Sequence, residues 1–251
     1  TLVQYGSLLD FVGQKQIAFS ILDQAVQRYN NGLVFASEDV AMVALASWLM
    51  GNFHDANSLF NEATRANPNN LEAHSLWGDL FLEKYNASDA ERSYQEALDI
   101  NGRYVPALVG MANVVGDERA LQRALAINPN SIPAMETYGQ LLMVNGREEE
   151  AQDYFERVLA LNPESLKTLS VLASQAALEE RSADYEGYLA QVESFSPNNP
   201  TFLGNVADSF GNNYLFDEAV EFARAAIAAD PQYWQGYTVL GSNLIRLGEE
   251  E

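Results

Sequence analysis

Residues 132–163 read IPAMETYGQLLMVNGREEEAQDYFERVLALNP. Apolar residues recur here at helical spacing, twice. With Ile132 as position 1, Met135, Tyr138, Gly139 and Leu142 fall at positions 4, 7, 8 and 11 and form one helical stripe. Ala151, Phe155 and Val158, at positions 20, 24 and 27, form a second. Asn145 and Gly146 stand between them and suit a left-handed helix end. Pro163, at position 32 after Asn162, stops the second helix. Small residues at positions 8 and 20 let two antiparallel helices approach closely. Such a helix–turn–helix cannot bury both faces alone and needs neighbours.

Repetition supplies the neighbours. Pro129, Pro163, Pro197 and Pro231 are each 34 residues apart, and Asn101-Gly102 stands in for a marker 34 residues after Pro68. A fixed period of this size signals a solenoid. Position 8 is Ala44, Gly78, Ala112, Gly139, Ala173, Ala207 or Gly241, after a large residue at position 7 (Val43, Trp77, Met111, Tyr138, Leu172, Val206, Leu240). Position 20 is Ala56, Ala90, Ala151 or Ala219, with Tyr185 as the exception. Position 24 is Phe60, Tyr94, Phe155 or Leu189, and position 27 is Ala63, Ala97, Ala124, Val158, Val192 or Ala226. Gly51 and Gly146 occupy the turn at position 15. An earlier copy shows through Tyr5-Gly6, Leu9, Gly13, Ala18, Leu22 and Ala25.

This 34-residue pattern resembles that of the tetratricopeptide repeat (TPR) family, over nearly the whole chain. The resemblance implies an all-α solenoid of about fifteen helices, in antiparallel pairs stacked as a right-handed superhelix without strands. The spacing predicts a single array over 1–251, with repeats near 1–30, 37–68, 71–102, 105–129, 132–163, 166–197 and 200–231 and a half repeat at 234–251.

Three departures carry information. Asn30 stands where a proline is due, and the apolar linker Leu33-Val34-Phe35 is expected to pack. The repeat at 105–129 is seven residues short, so both of its helices are expected to be short and the stacking there weak. The last residues, Gly248-Glu249-Glu250-Glu251, form the turn after a first helix. Leu240, Leu244 and Leu247 are then expected to lack half their cover, which predicts self-association through the terminal helices.

Composition narrows the function. Lys plus Arg is 14 against 35 Asp plus Glu, a net charge of −21, which argues against nucleic acid or an anionic membrane surface as partner. No apolar run approaches the roughly 20 residues of a membrane span. The absence of cysteine excludes disulfides, a cysteine nucleophile and thiolate metal sites. Phosphate-loop, nucleophile-elbow and zinc-helix motifs are missing, so neither an enzyme nor a cofactor is expected. His54 reads as a turn residue and His74 as core filler at position 4, not as a metal pair. Glu148-Glu149-Glu150 reads as a helix start and Glu179-Glu180 as a turn. Trp48, Trp77 and Trp234 read as core or wall.

In TPR proteins the first helices line a concave groove through positions near 2, 5, 9 and 12. Those positions carry Glu72, Ser75, Asp79, Asn113, Glu136, Gln140, Lys167, Ser170, Ser174, Asp208, Thr238 and Ser242. Some family members hold a partner's terminal carboxylate with Lys and Asn at such positions. Lys167 and Asn113, two repeats apart, are the residues available for that here. The groove is polar to acidic, so a neutral or basic protein segment is the expected partner. The leading expectation is a non-catalytic protein- or peptide-binding scaffold. The alternative is the non-catalytic arm of a larger enzyme. The stretches Trp77–Asn86 and Gly211–Glu251 resemble bacterial proteins that join such repeats to a gluzincin-type metallopeptidase domain, which would then lie beyond Glu251.

Overall fold

The computed structural model describes residues 1–11, 14–84 and 86–248. Gly13, Tyr85 and Glu249-Glu250-Glu251 lie outside the described residues. Fifteen helices and no strand are found among those described. The first helices of the pairs are α1 (Leu2–Phe11), α3 (Ser37–Leu49), α5 (Leu71–Glu83), α7 (Val105–Val115), α9 (Ile132–Val144), α11 (Leu166–Leu178), α13 (Pro200–Asn212) and α15 (Trp234–Leu247). The second helices are α2 (Lys15–Asn30), α4 (Phe53–Ala66), α6 (Ala87–Ile100), α8 (Glu118–Ile127), α10 (Glu148–Leu161), α12 (Ser182–Phe195) and α14 (Phe216–Ala229). Two compact units result, Thr1–Tyr154 and Phe155–Glu251.

In the first unit each second helix packs on its own first helix and on the next one, as α6 does on α5 and α7. First helices also touch along the series α1, α3, α5, α7 and α9. In the second unit α13 packs on α11 and α14, and α15 on α13 and α14. The small residues make this closeness possible. Ala56, Ala63, Ala90, Ala97, Ala219 and Ala226 are wholly buried, and Phe60 and Tyr94 fill the space between. Tyr94 sits where only glycine leaves room. A Cβ at Gly78 or Gly110 would stand 2.6 Å or 2.2 Å from its ring.

Turns and joints recur as well. First helices close on a left-handed residue: Gly51 (φ 81°), Gly116 (68°), Gly146 (71°) and Gly248 (77°). Where the sequence offers no glycine, Glu180 (φ 59°) and Tyr214 (φ 66°) adopt the same conformation. At the joints between repeats, an Asn or Asp side chain accepts the N–H two residues on. Asn67, Asn101, Asn128, Asn162 and Asp230 do so at 3.0–3.2 Å. This turn ends the second helix beside the joint residue.

The short repeat has two short helices, as its length predicts. α7 has 11 residues and α8 has 10, against 13 in α5 and 14 in α6. Arginines brace it. Arg123 Nη2 donates to the carbonyl of Gly102 at 2.9 Å. Arg147 reaches Glu118 at the start of α8 at 2.9 Å and grips both oxygens of Glu150 at 2.7 and 2.8 Å.

Three expectations need correction. Of the linker, only Val34 packs against the core; Leu33 is 65% and Phe35 80% exposed. Neighbours in an extended segment point opposite ways, so burying Val34 turns the other two outward. The apolar stripe of α15 lacks half its cover at Leu240 and Leu247, as expected, but not at Leu244, where α15 packs on α13 and α14. Leu244 is 6% exposed, Leu240 and Leu247 are half-buried, and the exposed apolar residues are Tyr237 and Ile245. His54 is not in a loop but in the first turn of α4.

Candidate functional site

The expected groove residues separate by burial. On α5, Glu72 is exposed, Asp79 half-buried and Ser75 buried; on α7, Asn113 is exposed. On α9, Glu136 is buried and Gln140 half-buried. On α11, Lys167 is half-buried, while Ser170 and Ser174 are buried. Their hydroxyls donate within the helix, to the carbonyls of Lys167 and Ser170, both at 2.8 Å. Asp208 on α13 and Thr238 and Ser242 on α15 are exposed. Position 5 is buried in the first unit at Ala41, Ser75 and Val109, because it lies in the seam where successive first helices touch.

Burial and charge then single out two carboxyls at position 9. Asp79 is pushed above the usual carboxylate range by burial, against which the Tyr94 hydroxyl donates at 2.6 Å. Asp208 is exposed, yet partial desolvation of its carboxyl pushes it up too; Asn212 and Arg246 offset part of this. Each carboxyl has a tyrosine beside it that the sequence reading missed. Tyr104 is raised by burial, then by the charges of Glu72 and Asp79. Tyr233 is pushed up to about 12 by burial, then by Asp208 and Asp230. Its hydroxyl lies against α13, 2.6 Å from where a Cβ on Gly204 would stand.

These are one arrangement repeated. Tyr233 follows Tyr104 by 129 residues and Asp208 follows Asp79 by 129, the same register four repeats on. Both tyrosines precede a first helix, at the cap position. At three equivalent joints that residue is Asn70, Ser165 or Asn199, whose side chain accepts a helix N–H from Ala73, Thr168 or Phe202 at 3.0, 3.2 and 2.9 Å, while Ala36 and Ser131 at two others make no cap bond. Tyr104 and Tyr233 supply no such bond. Giving up a cap costs about 1 kcal/mol. These two joints differ from the other uncapped ones in placing a tyrosine beside a carboxyl that its surroundings push up, which points to a demand other than capping.

The other polar clusters are structural. His74 is buried, with Nδ1 3.0 Å from Glu96 and Nε2 2.9 Å from the carbonyl of Pro68. Trp48 donates to Glu83 at 2.7 Å and Trp77 to Asn57 at 2.8 Å. Among the described residues no group of three or more His, Asp or Glu is placed to hold a metal ion. No helix among them is long and apolar enough to cross a membrane.

Comparison with known proteins agrees with this architecture. Tetratricopeptide repeat models match residues 44–104 and 132–165. No curated protein matches the sequence. Among solved structures, pilF of Pseudomonas aeruginosa is similar at 16% identity and a TM-score of 0.55, over 82% of this chain and 97% of that one. The APC/C hetero-tetramer Cut9–Hcn1 is similar at 14% identity and a TM-score of 0.65, over 96% of this chain and 48% of that one. This chain thus spans about half the length of the second. Residues 44–104 and 132–165 are tetratricopeptide repeats, and the described helices on either side of them share the same all-α repeat fold, a scaffold that supports a role in protein interaction.

Proposed function

We propose that the chain is a non-catalytic scaffold that binds a neutral-to-basic segment of a protein partner along its first helices. Asp79 with Tyr104 and Asp208 with Tyr233 would each receive a Lys or Arg side chain. The observation that carries this reading is the recurrence, in the same register, of a tyrosine at the cap position beside a position-9 aspartate. A carboxyl raised by burial regains favourable charge when a cation docks on it, and a tyrosine face adds a cation–π contact. Glu72 is near enough to Tyr104 to raise it, Asn113 stands on the helix after Tyr104, Thr238 and Ser242 on the helix after Tyr233, and all four are exposed.

Peptide display against this chain tests the reading, with counter-selection on the Asp79→Asn/Asp208→Asn double variant. Recovered peptides should be rich in Lys or Arg and should lose binding to the variant. Peptides that are neutral or acidic, or indifferent to both substitutions, would overturn it. The reading as an arm of a larger enzyme rests on the resemblance of Trp77–Asn86 and Gly211–Glu251 alone. The parent reading frame decides it: a downstream His-Glu-x-x-His supports it and its absence removes it.

A further inference from the structure

A second surface lies in the second unit, away from the first-helix positions discussed above. An open cavity of about 340 Å³ lies among α12, the α12–α13 joint, α13 and α14. Its walls are apolar: Leu189 and Val192 from α12, Phe202 and Leu203 from α13, and Phe222 from α14. The sequence explains why it is there. Position 20 is a wholly buried alanine in α4, α6, α10 and α14, but Tyr185 in α12. A tyrosine at the close-approach position holds a helix off its neighbours. Accordingly Val192 is the one fully buried residue of α12, whereas α4, α6, α8 and α14 each bury three or more.

Charge says what fits. α12 carries Asp184, Glu186 and Glu193 and no basic residue; α14 carries Asp217, Glu218 and Glu221 against Arg224. Glu193 lines the cavity, and Glu221 lies close enough to Tyr185 across the gap to raise its hydroxyl's pKa, second to burial. An apolar floor between two acidic helices is complementary to an amphipathic helix with basic flanks. The equivalent hollow in the first unit, among α2, α3 and α4, has only Val26, Leu59 and Tyr29 for apolar lining, beside five polar residues, Asp55 and Glu62 among them, and is the more polar of the two. A volume at the lower end of ligand-pocket sizes takes anchoring side chains, not a whole segment. We infer that the α12–α14 cleft docks a basic amphipathic helix of a partner protein, through apolar anchors one helical turn apart.

The probe is a synthetic amphipathic peptide of leucine and lysine, titrated against the full chain. Its control is a peptide of the same composition, scrambled so that no apolar face forms. Ala190 lines the cleft but is exposed, so Ala190→Trp fills the space without disturbing the core. Glu193 is likewise exposed, and Glu193→Lys reverses the charge at the rim. The amphipathic peptide should bind at least tenfold more tightly than the scrambled one, and each substitution should weaken it about tenfold or more. Equal binding of the two peptides would show attraction by charge alone and overturn the inference. So would affinity unchanged by Ala190→Trp, which places the peptide elsewhere. If the untreated chain dimerises and Ala190→Trp abolishes the dimer, the occupant is a second copy and the inference fails as well.

Discussion

The hydroxyl of Tyr94 donates to Asp79 Oδ1 at 2.6 Å while its ring lies between Gly78 and Gly110. One side chain thus joins the seam between α5 and α7 to a carboxyl at position 9. Burial raises Asp79, so the sign is that of a group whose charged form the fold disfavours. Its contribution is present at acid pH and is lost as pH rises through its folded range. The Tyr94 hydroxyl opposes that loss. Tyr94→Phe should therefore cost about 1–2 kcal/mol near neutral pH and clearly less at pH 4. Denaturant melts at the two pH values check this. An equal cost at both would mean the bond does not favour the charged form.

Space around the same ring gives a second expectation. A methyl on Gly110 would stand 2.2 Å from Tyr94, and the ring is wholly buried. Gly110→Ala should destabilise by about 1–3 kcal/mol, the usual range for overpacking. Adding Tyr94→Leu should recover part of the loss, because the clash disappears. If the double variant is no better than the sum of the singles, the glycine is needed for another reason.

The turns offer a stabilising change. Glu180 holds φ 59° at a place where other repeats use glycine. A left-handed residue with a side chain is disfavoured by roughly 1–2 kcal/mol, partly offset by the entropy that glycine loses on folding. Glu180→Gly should thus raise stability by about 0.5–1 kcal/mol. Tyr214→Gly should gain less, since Tyr214 also meets the ring of Phe216 edge-on at 6.0 Å. Unfolding midpoints of the two variants, compared side by side, decide the order.

The helix pairs were legible because close approach demands small residues at fixed intervals, and Ala56, Ala90, Ala63 and Ala97 show that demand directly. The short repeat was legible from length alone. The groove was legible only by position. Ser75 and Ser170 fall at a nominally open position, but adjoining helices bury it, and no property of a serine reveals that. Tyr104 and Tyr233 went unread for a different reason. Each stands at a cap position, where its meaning comes from an aspartate 25 residues earlier that the fold brings beside it. The signal was present, as a tyrosine at the cap position of two joints in the same register.

The last prediction concerns the short repeat, whose missing turns leave α8 with three buried residues against four or five in α4, α6 and α14. Glu118, the first residue of α8, accepts from the Tyr138 hydroxyl at 2.7 Å and from Arg147 at 2.9 Å. These two contacts, the tyrosine first, hold its carboxyl below the usual glutamate range. A lowered carboxyl stabilises above its unfolded value and ceases to do so as pH falls through its folded value. The brace is therefore intact at neutral pH and lost in acid. It is also exposed enough for salt to weaken it. Amide exchange should find α8 protected like its neighbours at pH 7 and low salt, and selectively less protected once Arg147→Met removes the brace. Tyr138→Phe should have the same direction, and a smaller size only so far as Arg147 keeps joining Glu118 to Glu150. If α8 exchanges fast in the unmodified chain, the arginine does not compensate for the missing turns. If Arg147→Met lowers protection evenly through α5, α6 and α8, the bond stabilises the unit as a whole and the short repeat is not its weak point.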